Sequence, residues 1–464
     1  MNARSVASFF SCYAPVWVAL LFTAALLVVC YPGFMSYDSL RMLEEARTQV
    51  QGGIYPAMPV YLMRLADLGG HGPTVMLTVQ NFMVFFCLAL ILRFVSAPQW
   101  LSVPILAIFL LQPVLVGVML VVWKDVTTTA PMLLALVLIY WASQNPTSPR
   151  ISLVKWSALL MLVIATLVRF NALTATAVIV GYWVLTFYSG RGRSKQLFVF
   201  VLALLAMAAS NVFVNGYAFP DLRKLDENEL AYGIMSYDLV GISKWSGESM
   251  VPVDVSGQPA VPKADIADID RIYNSLGALH ISAANESLGN PVELTPPGYS
   301  NSDVARAWIN AIIHHPVAYA RYRFDLFEEI IGAKPHPIFE PTHFARIDPN
   351  ELGVVAHDRA ITRKVLEYIE TASTMIYGKP WPYLLLSMVC CVVMVCLRTI
   401  PGSLKILGTV ATGAAFMYIA PFLVMTGTGE VRYVYPTLIL GSIPVLILLF
   451  GWRLARPMAA EQVL

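Results

Sequence analysis

Charge is what this chain has least of. Asp, Glu, Lys and Arg make up 13% of its 464 residues, and 57% are hydrophobic, whereas a soluble domain carries roughly a quarter charged residues. That shortage excludes an ordinary soluble protein and points to the membrane class. Cysteine is scarce as well, limited to Cys12, Cys30, Cys87, Cys390, Cys391 and Cys396. None falls in 216–381, so a disulfide framework there is excluded. Cys390, Cys391 and Cys396 stand in an apolar run, where cysteine acts as a small hydrophobe. There is no Gly-rich phosphate loop and no dinucleotide fingerprint. Histidines gather at 280, 314, 315, 336, 343 and 357, yet no spacing matches a zinc site, so they read as surface or interface residues. Internal repeats and low-complexity tracts are absent. The first apolar run is followed by Tyr31-Pro32-Gly33 instead of a small-residue cleavage site, which argues for an uncleaved first helix.

What is present is a series of long apolar runs. They lie near 13–31, 73–94, 100–122, 127–143, 154–170, 172–188, 196–215, 382–398, 405–425 and 436–452, each about the length that spans a bilayer. The expectation is a polytopic α-helical membrane protein of about ten spans. It divides into an N-terminal membrane region 1–215 with a first loop 31–72, a water-facing segment 216–381, and a C-terminal membrane region 382–464. Segment 216–381 carries 14 Lys+Arg against 22 Asp+Glu, net −8, and the remainder 17 against 7, net +10. Its short helical patterns and Pro/Gly-rich stretches suggest a mostly helical α+β cap, with the part around Pro252, Pro259 and Pro262 as loop. The stretch 319–327 reads as an amphipathic helix near the membrane surface.

Positive charge orients the spans. With the N-terminus in the cytoplasm, Arg93, Arg150, Lys155, Arg191, Arg193, Lys195, Arg398, Lys405, Arg453 and Arg456 all fall on the cytoplasmic side. Both termini are then cytoplasmic, and loop 31–72 and segment 216–381 are extracytoplasmic. Lys124, Arg169 and Arg432 break the pattern, each at a helix end on the opposite face. A cation against the trend is either a snorkelling anchor or a functional group.

Polar residues accompany each of the three. The first loop reads Pro32-Gly33…Ser36-Tyr37-Asp38-Ser39, continues through Glu44 and Glu45, and reaches Gly53…Tyr55-Pro56. Leu40, Leu43, Arg47 and Val50 recur at helical spacing, which suggests a short helix in the interface with its apolar side toward lipid. Asp38 is either its N-cap or a carboxylate held at headgroup level for catalysis. The other clusters are Trp123-Lys124-Asp125, Arg169-Phe170-Asn171, and Glu430-Val431-Arg432-Tyr433 before Pro436. Lys124–Asp125 and Glu430–Arg432 could neutralise one another. Together these segments bring three cations, three carboxylates and several aromatics to one membrane face. One reaction that wants this set is attack by a sugar hydroxyl on a glycosyl phosphate tethered to lipid. A carboxylate takes the hydroxyl proton and cations meet the leaving phosphate. A glycosidase wants two carboxylates flanking the bond and no such cations.

On these motifs the chain resembles the membrane-embedded GT-C glycosyltransferases, particularly bacterial ones that modify lipopolysaccharide O-antigen or related surface glycans. The resemblance implies Asp38 as catalytic base or metal-associated acid and Lys124, Arg169 and Arg432 near the donor phosphate. Glu44, Glu45, Tyr55, Asp125, Asn171, Glu430 and Tyr433 would support them. It further implies an inner-membrane location, a periplasmic cap, a polyprenyl-phosphate-linked sugar donor and a glycan or lipid-linked glycan acceptor. Membrane lipids are expected partners and nucleic acid is not. Relatives often show His-Pro where this chain has Tyr55-Pro56, together with a second strong acid near the first. Use of a divalent cation, Mg or Mn, is therefore left open. A polymerase or ligase of lipid-linked glycans is a close rival. A lipid or glycan transporter is a more distant one, since it would place charges on broken helices at midplane.

Overall fold

A computed structural model describes residues 3–51, 56–216, 223–224, 229–250, 265–277, 281, 284–287, 301–335 and 347–451. From the N-terminal side, α1 (Ala3–Cys30) precedes two short helices, α2 (Tyr37–Thr48) and α3 (Ala57–Ala66), and then α4 (Gly72–Phe94). A bent pair, α5 (Ser102–Phe109) and α6 (Pro113–Met119), leads to α7 (Lys124–Gln144), α8 (Ile151–Val168), α9 (Ala172–Phe187) and α10 (Arg193–Gly216). Segment 216–381 contributes α11 (Glu229–Ser246), α12 (Ile266–Ile272), α13 (Asn301–His314), α14 (Pro316–Ile330) and α15 (Ala360–Thr374). Then come α16 (Trp381–Cys396), α17 (Gly402–Ile419) and α18 (Tyr435–Phe450).

Seven of these helices are long and apolar enough to cross a membrane: α1, α4, α7, α8, α10, and α17 and α18 with the turns that extend them. The bent pair α5–α6 would make an eighth, and α9 and α16 are apolar but shorter. The outer surface fits a lipid solvent. Helix α10 buries only Ala203 and Met207 and turns Leu202, Leu205, Val212 and Phe213 outward. Helix α16 exposes Leu385, Val389 and Val392. Apolar surface this continuous is not left to water. Helices α7 and α18 are the interior ones, each 72% buried along its span. They are also the helices that start at Lys124 and just after Arg432.

The run 100–122 is not one straight helix. It bends by 91° between Phe109 and Pro113. Proline cannot donate to the preceding turn, and Gln112 caps the new helix by accepting from the Leu115 amide at 2.9 Å. The polar groups of the break find partners in segment 216–381, as an apolar setting requires. The Gln112 amide donates to the Gly378 carbonyl at 3.0 Å, and the Tyr368 hydroxyl donates to the Leu111 carbonyl.

One further expectation is corrected. Helix α2 does not lie with its apolar face on lipid, because Leu40, Met42, Leu43 and Ala46 are buried within the protein. Segment 216–381 is described in part. The regular elements among its described residues are helices, the pair Arg223–Lys224, which runs parallel to Val50–Gln51, and a bridge from Gly277 to Thr428. Helices α11, α13 and α14 pack around Leu239, Ile242, Ala311 and Ala318. Ile330 and Ile369 instead join the core of the membrane bundle. The expected loop at 252–262, the histidines at 280, 336 and 343, and Arg453 and Arg456 lie outside the described residues.

Candidate active site at one end of the bundle

The site begins with a backbone lock. Phe34 donates to the Leu120 carbonyl at 3.1 Å and accepts from the Val122 amide at 3.0 Å. The Ser39 hydroxyl donates to the Val122 carbonyl at 2.6 Å, and the Trp123 indole donates to the Ser36 hydroxyl at 2.7 Å. On the other side, the Gln80 amide donates to the Val121 carbonyl at 3.1 Å. Residues 34–39 are thereby fixed against 120–123. Asp38, in the first turn of α2, and Lys124, the first residue of α7, become neighbours. Gly33 makes the approach feasible. Its φ is +123°, and a Cβ would stand 3.3 Å from both the Pro73 carbonyl oxygen and the Val122 side chain.

Four separate segments then converge. Arg432 Nη2 lies 2.7 Å from Asp38 Oδ2, and Arg432 Nε lies 2.5 Å from Glu430 Oε2. Arg432 also stacks over the Trp123 ring, 4.8 Å from its centroid. Arg169 donates to Asp125, and its guanidinium stands 4.8 Å from the centre of the Tyr433 ring. Tyr433 stacks on Phe422 at 4.8 Å, and its hydroxyl bonds Thr428 at 2.8 Å. Half-buried Lys124 lies within electrostatic reach of Asp38, Asp125, Arg169 and Arg432. The set is three cations and three carboxylates, alternating.

Depth separates two layers. The Asp125 and Arg169 side chains are 1% and 13% exposed, but those of Asp38 and Glu430 keep 23% and 30%. Only the outer pair of carboxylates can reach a bound molecule. Burial pushes the Glu430 carboxyl above the usual carboxylate range, against the pull of Arg432, with Asp38 and Asp125 adding to the rise. The inner pair reads as scaffold. Asp125→Asn should leave Arg169 buried beside a neutral partner and lower stability by about 3–5 kcal/mol. A thermal midpoint in detergent equal to the wild type would show that the pair carries no structural load.

The remaining candidates distribute unevenly. Ser36, not Asp38, is the residue that precedes α2, and its side chain accepts no cap hydrogen bond. Glu44 and Glu45 pair with Arg41, at 2.9 and 3.5 Å, so they belong to the stability of α2. Asn171 precedes α9 and lies beside the Tyr418 hydroxyl. Tyr55 lies outside the described residues. Among the described residues no three His, Cys, Asp or Glu side chains are grouped as metal ligands. The carboxylates here are met by arginines, so the donor set does not fit a divalent cation.

Sequence reasoning misses the group that holds the fourth segment in place. Arg323 of α14 forms a buried ion pair with Asp238 of α11 and donates to the Thr426 carbonyl at 2.8 Å. Trp308 completes the pair by donating to Asp238 at 2.8 Å. Nearby, the Tyr319 hydroxyl donates to the Val424 carbonyl at 2.7 Å, and the Gly429 amide donates to the Leu276 carbonyl at 3.0 Å. Gly429 must be glycine, since a Cβ would sit 2.7 Å from the Ser275 carbonyl oxygen. The cap thus grips 424–429, immediately before Glu430 and Arg432. The chain matches no protein-family model, no curated protein and no solved structure.

Proposed function

We propose that this chain is an integral-membrane glycosyltransferase that moves a sugar from a polyprenyl-phosphate donor to a surface-glycan or lipid-linked acceptor. One observation carries the reading: Asp38, Lys124, Arg169 and Arg432, from four distant parts of the sequence, meet at one end of the bundle. In this reading the site faces the periplasm of a bacterial inner membrane crossed by about ten spans.

The chemistry is a single displacement. Asp38 accepts the proton of the acceptor hydroxyl as its oxygen attacks the anomeric carbon. The bond from that carbon to the phosphate oxygen breaks, and polyprenyl phosphate leaves with the electron pair. Lys124 and Arg432 meet the charge that develops there. Arg432 engages both acids through Nε and Nη2, which leaves Nη1 to the phosphate. Because the three cations and three carboxylates balance, the N-terminus of α7 supplies the remaining positive potential. Helix-end charges also favour this reading over a transporter, which would carry them at midplane.

The test uses the full chain in nanodiscs with a panel of polyprenyl-phosphate sugars. Release of polyprenyl phosphate on adding glycan acceptor is expected for one donor. Lys124→Ala should weaken donor binding by about ten- to a hundredfold, the loss of one charge-assisted contact. If no donor is retained or turned over by the folded protein, the proposal fails. An unchanged donor affinity in the variant would return Lys124 to the role of anchor.

A further inference from the structure

We propose a second site at the opposite end of the same helices, a pocket for the headgroup of an anionic phospholipid. A cavity of about 790 Å³ opens between the C-terminal ends of α7 and α9 and the N-terminal ends of α8 and α17. The other ends of those four helices are Lys124, Val168, Ala172 and Ile419, on the side of the candidate active site. The cavity therefore belongs to the other membrane face, where Arg150, Arg191 and Arg193 also lie. Its size is that of a small-molecule pocket.

The lining fits a phosphodiester. It contains one charged side chain, Lys155, and no carboxylate, and hydroxyls of Ser143, Ser152, Thr186 and Ser403 come from all four helix ends. Lys155 is held in place rather than free to wave in solvent. Its ammonium donates to the Tyr188 hydroxyl at 2.9 Å and lies 4.2, 5.0 and 5.6 Å from the ring centres of Tyr188, Trp156 and Trp183. The Trp183 indole in turn donates to the Lys155 carbonyl at 2.8 Å. Two donors of the ammonium stay available for an anion.

The rim identifies the occupant as a lipid and not a free anion. Leu185 and Ile406 line the cavity and are 59% and 49% exposed, and Trp156 beside it is 56% exposed. Their apolar surface runs from the polar pocket onto the lipid-facing side of the bundle, where acyl chains would lie. A basic pocket between helix ends with tryptophan at the headgroup level is the arrangement that selects acidic lipid. This site does not depend on the glycosyltransferase reading.

The experiment is native mass spectrometry of the full chain released from micelles doped with phosphatidylglycerol or phosphatidylcholine. Wild type should retain one phosphatidylglycerol in preference to phosphatidylcholine, and millimolar inorganic phosphate should not displace it. Lys155→Gln should weaken retention about tenfold, with Lys155→Arg restoring it. Ser403→Leu fills the cavity from the facing wall without touching the aromatic cage, and it should evict the lipid too. Equal retention of the two lipids, displacement by phosphate alone, or full retention in both Lys155→Gln and Ser403→Leu would overturn the site.

Discussion

Asp38→Asn is expected to slow sugar transfer by about 10²–10⁴-fold while the unfolding midpoint stays at the wild-type value. The two halves of that expectation have separate physical grounds. Asparagine keeps the shape of aspartate and can still accept from Arg432, so the contact at 2.7 Å survives in weakened form. Arg432 also retains its close fork on Glu430, and no buried charge is orphaned. Helix α2 loses no cap, because Asp38 is not its cap. What disappears is the capacity to take a proton. Turnover of a polyprenyl-phosphate sugar and a melt in the same detergent measure both halves. A variant that keeps most of its rate removes Asp38 as the base, and Glu430, the other exposed carboxylate, would inherit the role.

Arg323→Met is expected to destabilise the protein by about 3–5 kcal/mol, because it strands a carboxylate in the cap. Asp238 is fully buried, and burial already pushes its pKa up to about 6 against the opposing pull of Arg323 and Trp308. Without the guanidinium the folded-state pKa rises further. A carboxyl with a raised folded pKa adds stability below its unfolded value and loses it as pH climbs through the folded one. The deficit of the variant should therefore be large near about pH 8 and shrink toward about pH 5, read as the unfolding midpoint at each pH. Pairing the change with Asp238→Leu should recover much of the stability, since apolar replacement of both partners is often neutral. Recovery of donor turnover is not expected, because Thr426 still loses its 2.8 Å contact. Full recovery of turnover in the double variant would show that Arg323 only holds the cap together.

Much of the site is legible from the sequence for one energetic reason. In a chain this poor in charge, a cation at a helix end has to have a use, so Lys124, Arg169 and Arg432 stand out without knowledge of the fold. Partners are harder to read. Lys124 and Asp125 look like a pair in the sequence, but adjacent residues on a helix point about 100° apart. Asp125 turns to Arg169 on the next helix, leaving Lys124 to the open layer. The Asp238–Arg323 pair has no local signal, since its members are 85 positions apart. One cue exists in retrospect. Arg323 interrupts the apolar row of Tyr319, Tyr322 and Leu326 on α14, and an arginine on a buried stripe needs an acid. The break at 109–113 had its cue in Pro113, which the hydropathy of the run outweighs.

The stoppered break at Gln112 decides which parts of this molecule can be traded as modules. Helix α15 belongs to the cap by sequence but is tied to the bundle by its side chains. Besides Tyr368 on Leu111, Thr362 donates to the Val29 carbonyl at 2.5 Å and Arg359 to the Val28 carbonyl at 3.2 Å. Exchanging 216–381 whole would expose the cut ends of two membrane helices at once. Even the smaller unit 229–335 stays tied to the bundle, whose core Ile330 joins and where the Trp381 amide donates to the Ile331 carbonyl at 3.0 Å. It cannot travel alone, because Arg323 and Leu276 grip backbone at 426 and 429. A graft that brings both pieces keeps the grip, and one that brings only the helices delivers a hand with nothing to hold.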